Sequence, residues 1–443
     1  MARQTPDATD QSLLRHERLH FIRETIRRAG HVRVDELSAR LAVSAYTIRR
    51  DLAELEGEGV LRRTYGGAVA YEPIIQETLR WSRRDKYSSR ADLRLEYQEQ
   101  AESGYSVDNL AERMQKPEDL TPEQVEALWV AMAELPMRTD FLYREPSTLS
   151  EIRTERPAGP RRLPVTTTAA ELRDRIYAAW LGRCAGCLLG KPVEAIGRQR
   201  ERLVNYLKMA KAYPPEDYLS EVIPLPDGYE LVDAEQGTVR ERIDGMPHDD
   251  DTMYTLLALH ILEEHSFGFE THHVSSKWLE HLPFHMVFTA ERIAYRNLVL
   301  GLRAPETASF RNPYREFIGA QIRADLWGYV SVGAPEQAAE LAFRDASLSH
   351  TKNGLYGAML VAAMLAAAYT TDDVESMVNI GLSEIPARSR LAEAVQRVVG
   401  WARADDHWEK TIDRIWETYG HYNPYPCDQQ RRCGRRSLAA RAG

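Results

Sequence analysis

Three consecutive carboxylates, Asp249-Asp250-Asp251, stand between His248 and Thr252 and run directly into the apolar stretch Met253 to Leu262. Like charges packed together raise one another's pKa and repel, and a hard divalent ion relieves both effects by taking oxygen ligands from Asp and Thr. The same residues suit a helix start, because Asp249 or Asp250 can accept backbone N–H bonds and the neighbouring acids favour the positive end of the helix dipole. Both readings place a helix N-terminus here, so the fold must bring this end to a site or to solvent.

At 443 residues the chain is long enough for two or three domains, one of them with a sizeable core. A charged fraction of 28%, an apolar fraction of 43% and a net charge of −9 describe a globular chain, neither disordered nor membrane-embedded. No apolar run approaches the ~20 residues of a membrane span, and the opening MARQTPDATDQS lacks the apolar core of a signal peptide, so a cytoplasmic location is expected. Of the four cysteines, Cys184 and Cys187 could pair with Cys427 and Cys433 around zinc. They lie in a small-residue segment, however, where Cys packs like a large Ala, and packing is the expected role. Residues 1–70 carry twelve Arg against ten Asp or Glu, which leaves −11 for the rest; a mildly basic head on an acidic body implies two different partners.

The head has a readable order. Leu19, Ile22 and Ile26 recur at helical spacing within Arg15 to Ala29, and Gly30 is placed to end that helix. His31 to Val34 is a short β-type segment, and Asp35 is expected to cap a second helix through Leu41. Ala42-Val43 makes a turn and Ser44 caps a third helix, Ala45 to Glu56. Gly57-Glu-Gly59 stops it, and Val60 to Val69 alternates about Gly66-Gly67 as a hairpin. Helices followed by a hairpin make a winged helix-turn-helix. Its third helix would enter a major groove of double-stranded DNA with Tyr46, Thr47 and Arg49 reaching bases or phosphates, while Arg50, Arg62 and Arg63 neutralise backbone charge.

The string Val34-Asp-Glu-Leu-Ser-Ala-Arg-Leu-Ala-Val-Ser44, followed by Thr47-Ile-Arg-Arg-Asp-Leu-Ala-Glu-Leu-Glu56 and Leu61-Arg-Arg-Thr-Tyr-Gly-Gly-Ala68, closely resembles the DNA-binding domain of DeoR-type transcriptional regulators. The resemblance implies that Ser44 to Leu52 is the recognition helix. Such regulators usually continue into a sugar-phosphate-sensing α/β domain, and nothing after residue 75 resembles one.

Residues 71–165 read as a helical connecting region, with helices expected over Leu93 to Ala101, Val107 to Met114 and Thr121 to Leu135. The last begins on a Thr121 cap with Pro122 and Glu123 behind it, and is expected to lie against the following domain. Pro157 to Pro160 and Thr166 to Thr168 read as loop. From Glu171 the helical period dominates. Leu172 to Leu189 is expected to be a buried helix whose Gly182, Gly186 and Gly190 admit a close neighbour. Further helices are expected over Glu336 to Phe343, Tyr356 to Tyr369, Val374 to Ile380 and Arg390 to Ala402, with β-type alternation scarce. The fold class expected is mainly α: a winged helix-turn-helix over 1–70, then an all-α domain over 166–424 and a basic tail over 425–443.

Four segments of that domain, Gly182-Arg-Cys-Ala-Gly-Cys-Leu-Leu-Gly-Lys-Pro-Val-Glu194, Asp249-Asp-Asp-Thr252, Gly319-Ala-Gln-Ile-Arg-Ala-Asp325 and Arg344-Asp-Ala-Ser-Leu-Ser-His350 with Asn353 to Gly357, together resemble the ADP-ribosylglycohydrolases. The resemblance implies an orthogonal all-α fold with two magnesium ions in a cleft, binding the ribose hydroxyls of an ADP-ribosyl group. It implies metal ligation by Asp249, Asp250, Asp251 and Thr252, catalytic roles for Glu194, Asp250 and Asp251, with Glu194 activating water, and places Asp345 and His350 by the bound substrate. Gly319-x-x-x-Arg323 reads as packing. Hydrolysis of a glycosidic bond needs a positioned water, a carboxylate base and an acid or cation on the sugar.

The family's second acidic motif, Gly-x-Asp-Thr-Asp-x, is absent after Trp408, and Thr370 to Asp373 is expected to cap the helix at Val374 instead of replacing it. Cys427 to Gly443 holds five Arg and a single acid, as expected of a reading-frame change or a premature end, which sequencing of the encoding DNA would test. The reading is a DNA-binding regulator that senses an ADP-ribose-like ligand, retaining one magnesium of two; the alternative is a working hydrolase addressed to DNA. Paired half-sites make a homodimer the expected form on DNA.

Overall fold

A computed structural model describes residues 15–29, 31–57, 60–64, 66–70 and 89–422. It is mainly α and divides into two units, one up to Ser88 and one from Ser89 onward. The basic tail, with Cys427 and Cys433, lies outside the described residues.

The first unit contains α1 (Arg15–Ala29), β1 (His31–Arg33), α2 (Val34–Leu41), α3 (Ala45–Gly57), β2 (Leu61–Thr64) and β3 (Gly67–Ala70). The strands form an antiparallel sheet in the order β1-β3-β2, with Val69 opposite both His31 and Arg62. Leu19, Ile22 and Ile26 of α1 meet Leu37, Leu41, Ile48, Leu52 and Leu55 in a closed core. Inside it Asp51 is fully buried and accepts Arg18 Nε at 2.9 Å, which fixes α1 against α3. The hairpin touches the helices through Val34 N, which donates to Gly66 O at 2.8 Å. That bond starts α2 earlier than expected. Arg33 is its flanking residue, and Asp35, expected as the cap, sits in the first turn accepting from Arg33 and from the Glu36 backbone. Ser44 Oγ does cap α3, accepting Thr47 N at 3.1 Å.

The second unit opens with α4 (Ser89–Glu102) and α5 (Pro122–Ala133), packed together through Leu93, Leu110, Val125, Leu128 and Met132. Thr121 begins α5 with a full capping box to Gln124. Between them, Val107 to Met114 holds only a short 3-10 turn at Asp108–Leu110 where a helix was expected: Val107, Leu110 and Met114 reach the same core through successive turns. After α6 (Leu149–Glu155) the loop through 157–168 is tied down, with Arg161 donating to Ser383 O and Glu384, and Leu163 N to Gly333 O.

The body follows as α7 (Ala169–Gly190), α8 (Glu194–Gly197), α9 (Arg200–Met209), α10 (Asp250–His265), α11 (Thr271–His281), α12 (Thr289–Val299), α13 (Glu306–Ser309), α14 (Asp325–Val330), α15 (Pro335–Ala346), α16 (Lys352–Ala367), α17 (Val374–Leu382), α18 (Arg390–Ala404) and α19 (Trp408–Tyr419). Helix α16 is the axis, packed by α14, α15, α17 and α18. Its small residues let neighbours come close: a Cβ on Gly328 of α14 would meet Ala362 O at 2.8 Å, and one on Gly381 of α17 would meet Leu360 O at 2.9 Å. The glycine stripe of α7 plays no such part. Nothing lies within 4 Å of a Cβ at Gly182, Gly186 or Gly190, Leu188 is the one buried residue of the helix, and Tyr177 and Leu181 are exposed. The expectation of a buried helix is therefore overturned, because α7 engages the body by polar side chains: Arg175 reaches the carbonyls of Ala368 and Tyr369 beyond α16, and Arg183 reaches Asp325.

Candidate functional site

On the first unit, α3 carries the predicted DNA-facing residues. Tyr46 is 75% exposed, and Arg49 and Arg50 are exposed beside it. Ser44 and Thr47 are joined Oγ to Oγ1 at 3.0 Å as part of the cap. Arg63 on β2 is exposed but held, with its Nε on Glu56 at 2.6 Å and its backbone N–H on the same carboxylate. The Arg62 side chain lies outside what the structure describes.

On the second unit, the acidic run opens α10. Asp249 is the N-cap, with extended backbone and Oδ1 accepting Asp251 N at 2.9 Å. Its Oδ2 receives the Lys191 ammonium at 2.6 Å, and the same ammonium reaches His248 O at 3.0 Å and Asp233 at 3.4 Å. Burial would raise the Asp249 carboxyl, but Lys191 and the backbone donor carry it below its ordinary value. Asp250 is pushed up to about 7 by burial and by the charges of Asp249, Asp251 and Glu291. Asp251 is raised by burial and by Asp249. Thr252 is buried and spends its hydroxyl on Asp249 O at 3.2 Å.

Two residues that the sequence reading did not bring to this run, Cys187 (expected to pack) and Asp325, stand beside it. Cys187 of α7 brings its Sγ within 4.8 Å of carboxylate oxygens of both Asp249 and Asp251, which makes these three residues a group able to hold a metal ion. Burial and the two carboxylates push its thiol well above the ordinary range. Asp325, at the start of α14, is buried with Oδ1 on Thr255 Oγ1 at 2.9 Å and Oδ2 3.2 Å from Arg183. The signal for Cys187 was its place one helical turn before Lys191, visible only once α7 and α10 are known to meet.

The remaining predicted residues are not among these three converging donors. Glu194 is exposed, and its carboxylate faces Arg198 at 3.6 Å. Asp345 and His350 are enclosed within an ion cluster around Arg323. Asp345 accepts Arg323 Nε and Trp327 Nε1, both at 3.0 Å. Arg323 Nη1 meets Glu291 at 2.5 Å, and its Nη2 reaches Ser349 Oγ, which in turn joins His350 Nδ1 at 2.8 Å. Burial and the Arg323 charge hold His350 well below its ordinary pKa, so the ring is neutral. Arg323 is thus a packing hub, as the Gly319-x-x-x-Arg323 pattern suggested, and a Cβ on Gly319 would fall 2.1 Å from Glu291 Oε1.

Comparison with known proteins agrees with this division. Residues 18–73 match the model of the DeoR-like helix-turn-helix domain, and residues 168–427 match that of ADP-ribosylglycohydrolase. A lactose phosphotransferase system repressor of Streptococcus mutans is 54% identical over 54 residues, 12% of this chain and 22% of its own length. One from Staphylococcus aureus is 44% identical over the same extent, and an uncharacterized HTH-type transcriptional regulator of Staphylococcus epidermidis is 35% identical over 79 residues, 17% of this chain and 31% of its own. The chain therefore spans less than a third of the curated relatives it matches. No solved structure matches it. No helix among the described residues is long and apolar enough to cross a membrane. With more than half of its length matched by one family model, the chain belongs to the ADP-ribosylglycohydrolase family, and it carries a DeoR-like helix-turn-helix domain ahead of that family's domain.

Proposed function

We propose that the chain is a cytoplasmic, DNA-binding transcriptional regulator whose ADP-ribosylglycohydrolase-family domain binds an ADP-ribose-like ligand at a cation site and adjusts DNA affinity accordingly. The observation that carries this reading is the pairing, in one chain, of an exposed helix-turn-helix face with a donor cluster able to hold a cation: Tyr46, Arg49 and Arg50 face solvent on α3, while Cys187, Asp249 and Asp251 converge elsewhere. Ser44, Thr47, Arg62 and Arg63 would complete the DNA surface, and binding to paired half-sites would take a homodimer.

A divalent ion fits this donor set, since the carboxylates are clustered and one already holds an ammonium. Asp249 and Asp251 would hold it, with Asp250 and Thr252 alongside, and when bound it would supply positive charge to ribose hydroxyls. Magnesium takes oxygen ligands, whereas one of the three converging donors is a thiol. Sensing is favoured over turnover because Glu194, the candidate base, faces Arg198 on the surface.

A second reading, a divalent-ion-dependent hydrolase of ADP-ribosyl conjugates, is favoured by Asp250, whose carboxyl at about 7 suits a general base. In that case Asp250 and Asp251 act on the bond while Asp345 and His350 brace the cleft. Fluorescence anisotropy with a selected duplex separates the two. ADP-ribose is expected to shift DNA affinity, with binding falling steeply as salt rises. DNA affinity indifferent to ADP-ribose, together with release of ADP-ribose from a modified protein that Asp250→Ala abolishes, would establish the hydrolase instead.

A further inference from the structure

We infer that Cys187 is itself a ligand of the cation site, so that the site takes a thiophilic divalent ion of the zinc or cobalt class in preference to magnesium. The inference rests on the cation-site reading above and concerns which ion the site selects.

The geometry comes from two rigid helices. Cys187 projects from α7, and Asp249 and Asp251 stand at the cap and first turn of α10, so three donors from two elements meet at one point. Their ligand atoms lie within 4.8 Å of one another. Zinc–sulfur and zinc–oxygen bonds of roughly 2.3 and 2.1 Å put neighbouring ligands about 3.5 Å apart, a separation that small side-chain rotations reach.

A packing role does not explain this cysteine. It is half-buried, and carboxylate oxygens of Asp249 and Asp251 stand within 4.8 Å of its thiol where an apolar wall would be expected.

Two further observations point to a cation at this place. The Lys191 ammonium is gathered by Asp249 Oδ2, Asp233 and His248 O, so the site already draws positive charge. Asp325, only 4% exposed, has an Oδ2 that contacts Arg183 but accepts no hydrogen bond, and its charge acts on Asp251. Its carboxylate, held by Arg183, adds negative charge next to Asp251.

Ligand chemistry then sets the choice of ion. Magnesium demands a near-octahedral oxygen shell and gains little from sulfur, whereas zinc and cobalt bind thiolate strongly and accept a mixed sulfur and oxygen set. Binding forms a metal–sulfur bond and releases the thiol proton to solvent.

Cobalt(II) titration of the full-length chain under reducing conditions tests this directly, because thiolate ligation produces a near-ultraviolet charge-transfer band that oxygen ligation does not. The wild-type chain is expected to show the band and to bind cobalt more tightly than magnesium. Cys187→Ser should lose the band and bind cobalt roughly tenfold more weakly, with magnesium affinity little changed. Cys184→Ser should keep it. Cobalt bound by the wild type without the band, a band that survives Cys187→Ser, or magnesium bound as tightly as cobalt would each overturn the inference while leaving a cation site in place. Failure of the wild type to bind either ion would overturn the cation-site reading as well.

Discussion

Arg390 of α18 and Glu145, 245 residues apart in the chain, form a fork of hydrogen bonds, with Nη2 on Oε2 at 2.7 Å and Nε on Oε1 at 3.0 Å. The same guanidinium meets Glu316 at 2.7 Å. Burial would raise the Glu316 carboxyl, but Arg390 and Lys352 hold it far below the usual carboxylate range. Removing one member of such a group strands the others without water, at a cost of about 3–5 kcal/mol. Arg390→Met is therefore expected to lower the unfolding free energy of the second unit by about that amount in urea. Arg403→Ala, which breaks the exposed pair with Glu375, should change it by about 0.5 kcal/mol or less.

The acidic run sets a pH dependence. Asp250 titrates near 7 in the folded chain and near 3.8 when exposed, so between those values the folded state holds a proton that the unfolded state has released. Stability therefore falls as pH rises from about 4 to about 7, and Asp251, also raised, adds to the slope. A divalent ion compensates the ionised carboxylates and should restore what was lost. Thermal melts in chelator are expected to decline across that range, and added cobalt or magnesium should raise the melting temperature more at pH 8 than at pH 5.5. Equal ion-induced shifts at both values would refute the coupling.

Gly319 is required by Glu291. A methyl group there would fall on Oε1 of a carboxylate already bonded to buried Arg323, so either the ion pair or the backbone must move. Gly319→Ala is expected to cost about 2–4 kcal/mol, well beyond an ordinary glycine-to-alanine change, because overpacking and a weakened buried charge pair act together. Urea titration of the variant measures it, and Gly182→Ala, where nothing lies within 4 Å, serves as the control expected to be neutral or mildly stabilising.

These contacts show what was readable from sequence. The helix-turn-helix was legible because its information is local: spacing on α1, the Ser44 cap and the Gly66-Gly67 turn each act within a few residues. Asp249 as cap and Asp373 as cap of α17 were legible for the same reason. Cys187, Glu291 and the Glu145–Arg390 pair were not, because their meaning depends on partners 62, 32 and 245 residues away in number, brought together only by the packing of helices. The glycines of α7 misled because small residues at helical spacing permit close approach without requiring it. Those that do require it, Gly328 and Gly381, stand on short helices that face α16.

The proposed DNA surface carries a restraint of its own. Arg63 on the wing is bound through both its guanidinium and its backbone N–H to Glu56 at the end of α3, so a DNA phosphate would have to compete with a carboxylate for it. Glu56→Gln removes that competitor's charge while keeping a hydrogen-bond acceptor for the backbone. Phosphate contacts carry no sequence information, so the variant should bind specific and unrelated duplexes more tightly by a similar factor, and the slope of log affinity against log salt should steepen by about one. Arg50→Ala should do the reverse, weakening both duplexes and flattening the slope. Tyr46→Ala, at the exposed N-terminal turn of α3, should instead reduce the ratio between specific and unrelated DNA, because a base-reading contact is lost while backbone charge neutralisation is kept. Anisotropy titrations of each variant at several salt concentrations distinguish the outcomes. A Glu56→Gln chain whose gain is confined to one duplex would show that Arg63 reads sequence.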